Sequence, residues 1–209
     1  MSTLETTKTN GRTATAKKVN VRAMTVTAML SAIAFILMFF DFAVPFMPSF
    51  IKMDLSELPA LIAAFSMGPI SGVMVCLIKN ILHMTISTTG FVGELSNFIL
   101  GAAFVLPAGL IYQHKKSKKA AFIGAFVGAI CMGIVSFPSN LYIVYPVYYN
   151  FMPKDVIVAA YQAINPSVQT IEQCLLMFNV PFTAIKGLFS VIITLIIYKP
   201  LSPIIKGNK

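Results

Sequence analysis

Six apolar runs, separated by Gly, Pro or charged residues, occupy most of this chain, at 23–42, 58–68, 70–87, 92–113, 120–146 and 172–198. About 20 apolar residues in a helix cross the hydrocarbon of a bilayer, where only helices and closed barrels satisfy their own backbone polar groups. The runs therefore predict helices, and within 209 residues they leave no room for a soluble enzyme domain. Composition agrees: 57% of residues are hydrophobic and 11% charged, against roughly 45–50% and 25% in soluble domains. The expected fold is an all-α integral membrane protein with six transmembrane helices in one domain, 23–200. A flexible basic cytoplasmic tail at 1–22 precedes it and a cytoplasmic C-terminal tail at 201–209 follows. Met67-Gly68-Pro69 is a turn signal that splits one long stretch into a short second helix and a third.

The formal net charge of +9 does not point to nucleic acid. Twelve of the sixteen Lys and Arg residues fall in three clusters without interleaved aromatics: Lys8, Arg12, Lys17, Lys18 and Arg22; Lys115, Lys116, Lys118 and Lys119; Lys199, Lys206 and Lys209. With six spans, an N-in/C-in topology puts all three clusters on the cytoplasmic side, as the positive-inside rule requires. Asp41, Asp54, Glu57, Glu94, Asp155 and Glu172 then lie at or near the outer half. The expected location is a plasma membrane, crossed several times, with lipid as surroundings.

The outer connection 41–58 mixes Pro45, Phe46, Met47, Pro48, Phe50, Ile51 and Leu55 with Lys52, Asp54 and Glu57. Such an apolar loop is poorly solvated and is expected to fold back over the bundle as a lid. The outer segment from Tyr148 to Glu172 is a second potential cover.

Lys186 lies midway along the last run, and an ionisable residue at that depth is by default a functional-site hypothesis. Asn179, Pro181, Phe182 and Thr183 make a polar, kink-prone island beside it; Thr183 and Lys186, three apart, share a face. The alternative for Lys186 is a structural pair with Glu94, or snorkelling. Asn140, deep in the fifth run, suits a ligand hydrogen bond, whereas Tyr142, Tyr145, Tyr148 and Tyr149 suit either an aromatic ligand or the membrane interface. Lys79, Asn80, Glu94, Ser96 and Asn97 add buried polar groups. On the first helix Ala28 and Ala32 lie one turn apart, a stripe for a partner helix or for packing within the bundle. The residues offer binding chemistry without reaction chemistry: His83 and His114 are too far apart to share a metal, the three cysteines read as buried small hydrophobes, and no nucleophile–base pair or phosphate loop stands out. A binding protein is expected, not an enzyme, with no cofactor.

The run Phe46-Met-Pro48-Ser-Phe50-Ile-Lys52-Met-Asp54-Leu-Ser56-Glu-Leu-Pro59, the short helix closed by Gly68-Pro69, and Pro181-Phe-Thr-Ala-Ile-Lys186-Gly187 resemble the riboflavin-specific substrate-binding (S) component of energy-coupling factor (ECF) transporters, the RibU family, over about 23–200. The resemblance implies riboflavin bound as transported substrate near the outer face, under the first loop, with flavin mononucleotide a second candidate ligand. It implies a transmembrane coupling subunit and two cytoplasmic ATPases as partners, with Ala28 and Ala32 docking on the coupling subunit. It also implies flavin contacts from Lys186 and Thr183, and from Asn140, for which Asn150 is a competing match. Around these, the expected site comprises Met47, Phe50, Ile51, Lys52, Asp54, Leu55, Glu94, Asn97 and Asn179. An S component for another vitamin, such as thiamine or biotin, is the nearest alternative; a small membrane-embedded lipid enzyme and a ligand-free assembly subunit are more distant ones.

Overall fold

The computed structural model describes residues 21–206 apart from residue 88, so the expected tail at 1–22 lies almost wholly outside the described residues. Helices α1 (Val21–Met38), α2 (Glu57–Met67), α3 (Pro69–His83) and α4 (Val92–His114) are followed by α5 (Lys118–Ser139). A π turn, Asn140–Val144, carries α5 without a break into α6 (Tyr145–Tyr148). The short outer helix α7 (Lys154–Gln162) leads to α8 (Ile171–Cys174), a second π turn (Leu175–Asn179) and the long α9 (Val180–Lys206).

Five of the resulting rods are long and apolar enough to cross a membrane: Val21–Met38, Pro69–Ile86, Val92–His114, Lys118–Tyr148 and Ile171–Thr194. The sixth apolar helix, α2, has only 11 residues, about 16 Å at 1.5 Å per residue, roughly half a hydrocarbon core. Two ends differ from the hydropathy pattern. α1 stops at Met38 instead of residue 42, and α9 continues as helix to Lys206 instead of ending near 198, through part of the expected C-terminal tail.

The connection between α1 and α2 is not all loop. Strands β1 (Phe42–Ala43) and β2 (Lys52–Met53) pair antiparallel, Phe42 opposite Met53 and Ala43 opposite Lys52. The hairpin is the sole departure from an all-α architecture among the described residues, and Lys52 Nζ donates to Asp41 Oδ2 at 2.9 Å across its open end. Phe46 takes a left-handed conformation at its tip, φ 64°.

Two apolar clusters divide the bundle, named inner and outer after the expected N-in/C-in topology. The inner one is built largely of small residues, including Ala60, Ala63 and Ala64 of α2, Ala108 of α4, and Ala121, Ala125 and Ala129 of α5. With no water to expel in lipid, helices associate by close packing, and small side chains permit it. Gly128 lies so close to α4 that a Cβ there would collide with the carbonyl of Phe104, and a Cβ on Gly187 would come within 2.8 Å of Ala129 Cβ. α9 therefore packs tightly on α5 directly beside Lys186. The outer cluster is aromatic and β-branched: Val144, Tyr145, Tyr148, Ile157, Tyr161, Ile171 and Phe178, with Met47, Phe50 and Ile51 of the outer connection packed on it.

Candidate functional site

A cavity of about 400 Å³ lies where the outer connection meets α4, the α5–α6 rod and α9. That is within the range of small-ligand sites, roughly 300–1,000 Å³. Of the twelve residues expected at a substrate site, ten line it: Phe50, Ile51, Lys52 and Asp54 from the outer connection, Glu94 and Asn97 from α4, Asn140 from the π turn after α5, and Asn179, Thr183 and Lys186 from the last rod. Met47 packs instead into the outer cluster, and Leu55 is half-buried away from the cavity wall. Asn150, the competing match for Asn140, is exposed and caps its own helix end, its Nδ2 donating to the Val147 carbonyl at 3.0 Å.

Two of the three asparagines on the wall, Asn140 and Asn179, sit in π turns. The N–H of Tyr145 donates to the carbonyl of Asn140, and that of Val180 to Leu175, five residues back in each case. After one intervening residue each turn is followed by a proline, Pro146 and Pro181, whose missing N–H leaves a carbonyl of the preceding turn unclaimed. π turns of this kind concentrate at functional sites because the extra residue re-aims the side chains around it. Asn140 donates to the Ser136 carbonyl at 2.8 Å and accepts from Ser96 Oγ at 3.4 Å. Asn179 is held by Tyr161, whose hydroxyl donates to its Oδ1 at 2.7 Å, and Tyr161 also meets the Tyr145 hydroxyl at 2.6 Å. Thr183 shares a 2.9 Å hydrogen bond with Ser136 of α5.

Lys186 is 7% exposed, and its ammonium donates to Asp54 Oδ2 at 3.1 Å and to Asn97 Oδ1 at 3.5 Å. The structural pairing with Glu94 does not occur. Glu94 instead meets His83 Nδ1 at 2.7 Å and accepts from Ser87 at 2.8 Å. Asp54 lies in the outer connection and reaches Lys186 because the chain after β2 turns inward before α2. Burial alone would raise the Asp54 carboxyl; the ammonium groups of Lys186 and Lys79 and hydrogen bonds from Ser56 outweigh it and hold the group well below the usual carboxylate range. It is an anion at every physiological pH.

Sequence reasoning missed Tyr161 of α7, which is fully buried. Phe182, expected in the polar island beside Lys186, and Tyr145 and Tyr148, for which an aromatic ligand is one of two readings, line the cavity as ligand-sized flat surfaces. Phe50 meets Tyr148 and Tyr161 edge to face, ring centroids 5.8 and 5.9 Å apart, which roofs the cavity with aromatic rings. The interface-belt reading of the tyrosines fits Tyr142, which is 74% exposed, but not Tyr145 or Tyr148. Lys79 and Glu57 form a fully buried ion pair at 2.9 Å; Lys79 reads in the sequence as a buried polar group within the third run and Glu57 as an acid of the outer connection, but spacing does not reveal their pairing. Ala28 and Ala32 are exposed on α1, whereas their neighbour Ser31 turns inward and donates to the Thr27 carbonyl at 2.8 Å.

The family model for the ECF transporter substrate-specific component matches residues 22–198. The chain belongs to that family. As an S component it is a substrate-binding transport subunit rather than an enzyme, and a multi-pass protein of a bacterial cell membrane. It is 34% identical over 198 residues to the riboflavin transporter RibU of Staphylococcus aureus (strain TCH60), covering 94% of this chain and 98% of that one. It is 31% identical over 192 residues to the riboflavin transporter FmnP of Bacillus subtilis (strain 168), covering 90% and 96%. A solved structure, described as "Structure and mechanism of the S component of a bacterial ECF transporter", matches with a TM-score of 0.69 at 34% identity, over 87% of this chain and 96% of that one.

Proposed function

We propose that this S component captures riboflavin at the outer face of the membrane. The observation that carries the reading is the chemistry of the cavity under the hairpin, where aromatic faces adjoin polar groups and each lysine on the wall is paired with an aspartate. Riboflavin is a neutral molecule with a flat tricyclic ring and a polyhydroxylated chain. Phe50, Tyr145, Tyr148 and Phe182 offer ring-sized apolar surface, and Lys186, Asn97, Asn140, Asn179 and Thr183 offer donors and acceptors. Because Lys186 is neutralised by Asp54 and Lys52 by Asp41, an uncharged ligand enters without leaving a charge unpaired. The riboflavin transporters among the relatives support the same substrate. Flavin mononucleotide is the second ligand to be tested, its phosphate placed at the mouth beside the half-exposed Lys52.

In this reading the protein is N-in/C-in with six membrane segments, α2 being the short one. The basic residues 115–119 between α4 and α5 then face the cytoplasm with both ends of the chain, and residues 23–200 form the binding domain between cytoplasmic segments. The outer hairpin opens, flavin enters, and the hairpin closes. The loaded protein engages a transmembrane coupling subunit through the exposed Ala28 and Ala32 of α1, and two ATPase subunits supply the energy for inward release.

Equilibrium binding of a vitamin panel to the purified full chain tests the assignment. Riboflavin should lose fluorescence on binding and co-purify as yellow protein. Saturable binding of thiamine or biotin with no flavin binding would reassign the substrate.

A further inference from the structure

The ion pair that faces the cavity is tied to a second one that does not. Lys79 of α3 is fully buried and donates to Glu57 Oε1 at 2.9 Å and to Ser56 Oγ at 2.6 Å. Ser56 is fully buried too; its N–H donates to Asp54 Oδ1 at 2.8 Å, and its hydroxyl donates to the same oxygen. Asp54 Oδ2 accepts from Lys186. The direction of every bond in this chain is fixed. An ammonium only donates and an ionised carboxylate only accepts, so Ser56, having accepted from Lys79, must turn its own hydrogen to Asp54. With Oδ1 doubly occupied by Ser56, Oδ2 is the oxygen left for Lys186. Of the three Lys186 protons, two have acceptors in Asp54 and Asn97, and the third is available toward the cavity.

We infer that Lys79, Glu57 and Ser56 are positioning residues for the substrate: acting through Asp54, they aim the free N–H of Lys186 at an acceptor atom of the bound flavin. None of the three lines the cavity. The buried pair is poorly explained as a source of stability, since replacing such a pair by apolar side chains of similar volume is often neutral or favourable. Its location is informative: it joins α2, α3 and the foot of the β2 strand, so it fixes where the outer connection re-enters the bundle and hence where Asp54 stands. The inference rests on the riboflavin reading for its ligand.

The test uses the purified full chain, riboflavin titrations and ligand-free thermal unfolding. Ser56→Ala keeps all four charged groups and removes only the hydroxyl link between them, and K79M/E57L removes the second pair without leaving a charge unpaired. Each should weaken riboflavin binding about tenfold, with the unfolding midpoint of the ligand-free protein unchanged or raised for K79M/E57L. Combined, they should weaken it no further, because they cut one chain of bonds. In a Lys186→Met background neither should change the residual affinity, a dependence that a merely architectural role does not produce. Affinities within twofold of the unsubstituted protein, or losses that persist in Lys186→Met, would overturn the inference. A ligand-free readout separates it from the substrate assignment: the rate at which Lys186 is amidinated, followed by mass spectrometry, should rise severalfold in Ser56→Ala and in K79M/E57L as the amine is freed from its carboxylate. If the unsubstituted protein binds no riboflavin, the substrate assignment fails alone; if the amidination rate is unchanged, the positioning role fails whatever the ligand.

Discussion

The inner and outer halves of the bundle solve different problems with different residues. The inner half packs alanine and glycine so that α4, α5 and α9 touch backbone to backbone, and among the described residues it lends the cavity only Leu100 and Met132 at its upper edge. The outer half replaces that fit with tyrosines, asparagines, π turns and a hairpin, and encloses space. Close-packed helices are intolerant of added volume, whereas a cavity wall tolerates changed shape but not lost hydrogen-bonding groups. The contrast implies that inner substitutions act on folding and outer ones on affinity.

Three substitutions, in falling order of effect and with one control, test that division. Gly128→Val puts a branched side chain against the Phe104 carbonyl, and we expect destabilisation of about 3 kcal/mol or more, read as a sharp fall in folded yield and unfolding temperature. Gly133, also on α5, has open space within 4 Å of where a Cβ would stand, so Gly133→Ala should leave both properties unchanged; a matching collapse would erase the distinction. Lys186→Ala should reduce flavin affinity about 100-fold, equivalent to about 3 kcal/mol, while the protein still folds, because Asp54 keeps its Ser56 bonds and borders a cavity that water can enter. Loss of folded protein instead would make Lys186 a structural lysine. Asn140→Ala removes one hydrogen-bonding group and should cost about tenfold in affinity, with an unfolding temperature close to that of the unsubstituted protein. The two π turns sharpen the comparison further if Asn179→Ala behaves in the same way.

The smallest effect concerns pH. A carboxyl lowered by folding stabilises the protein fully above its unfolded value, about 3.9, and that contribution disappears only as pH falls through the lower folded value. Asp54 is such a group. The difference in unfolding temperature between the unsubstituted protein and Asp54→Asn should therefore be constant from pH 5 to 8; a difference that varies across that window would mean the carboxylate titrates there.

Ala28 and Ala32 provide a separate measurement, since both are exposed and neither borders the cavity. Enlarging both to Trp should leave riboflavin binding intact and abolish uptake by the assembled transporter. Uptake that survives would place docking elsewhere on the surface.

Hydropathy revealed the helices because desolvation of the backbone leaves few alternatives in lipid, and the depth of Lys186 marked the cavity for the same reason. What it could not reveal was the partner of that lysine. Glu94 looked suitable on a helix, while Asp54 belongs to an irregular segment whose path follows no periodicity. Tyr161 escaped notice because its helix has only 9 residues and is less apolar than the membrane-length runs, although its hydroxyl is what holds Asn179. The π turns left only an indirect trace, a proline soon after an asparagine-containing turn. α1 ends early because the hairpin begins at Phe42, a tertiary pairing invisible in a run of apolar residues.

The coupled ion pairs also determine what the protein feels from membrane voltage. Moving one elementary charge across 100 mV involves about 2.3 kcal/mol, a term comparable to a tenfold or larger change in rate. Lys79, Glu57, Asp54 and Lys186 sum to zero, so a translation of the unit that carries them, without rotation, performs no net electrical work on these four groups. An uncharged ligand adds nothing to that sum.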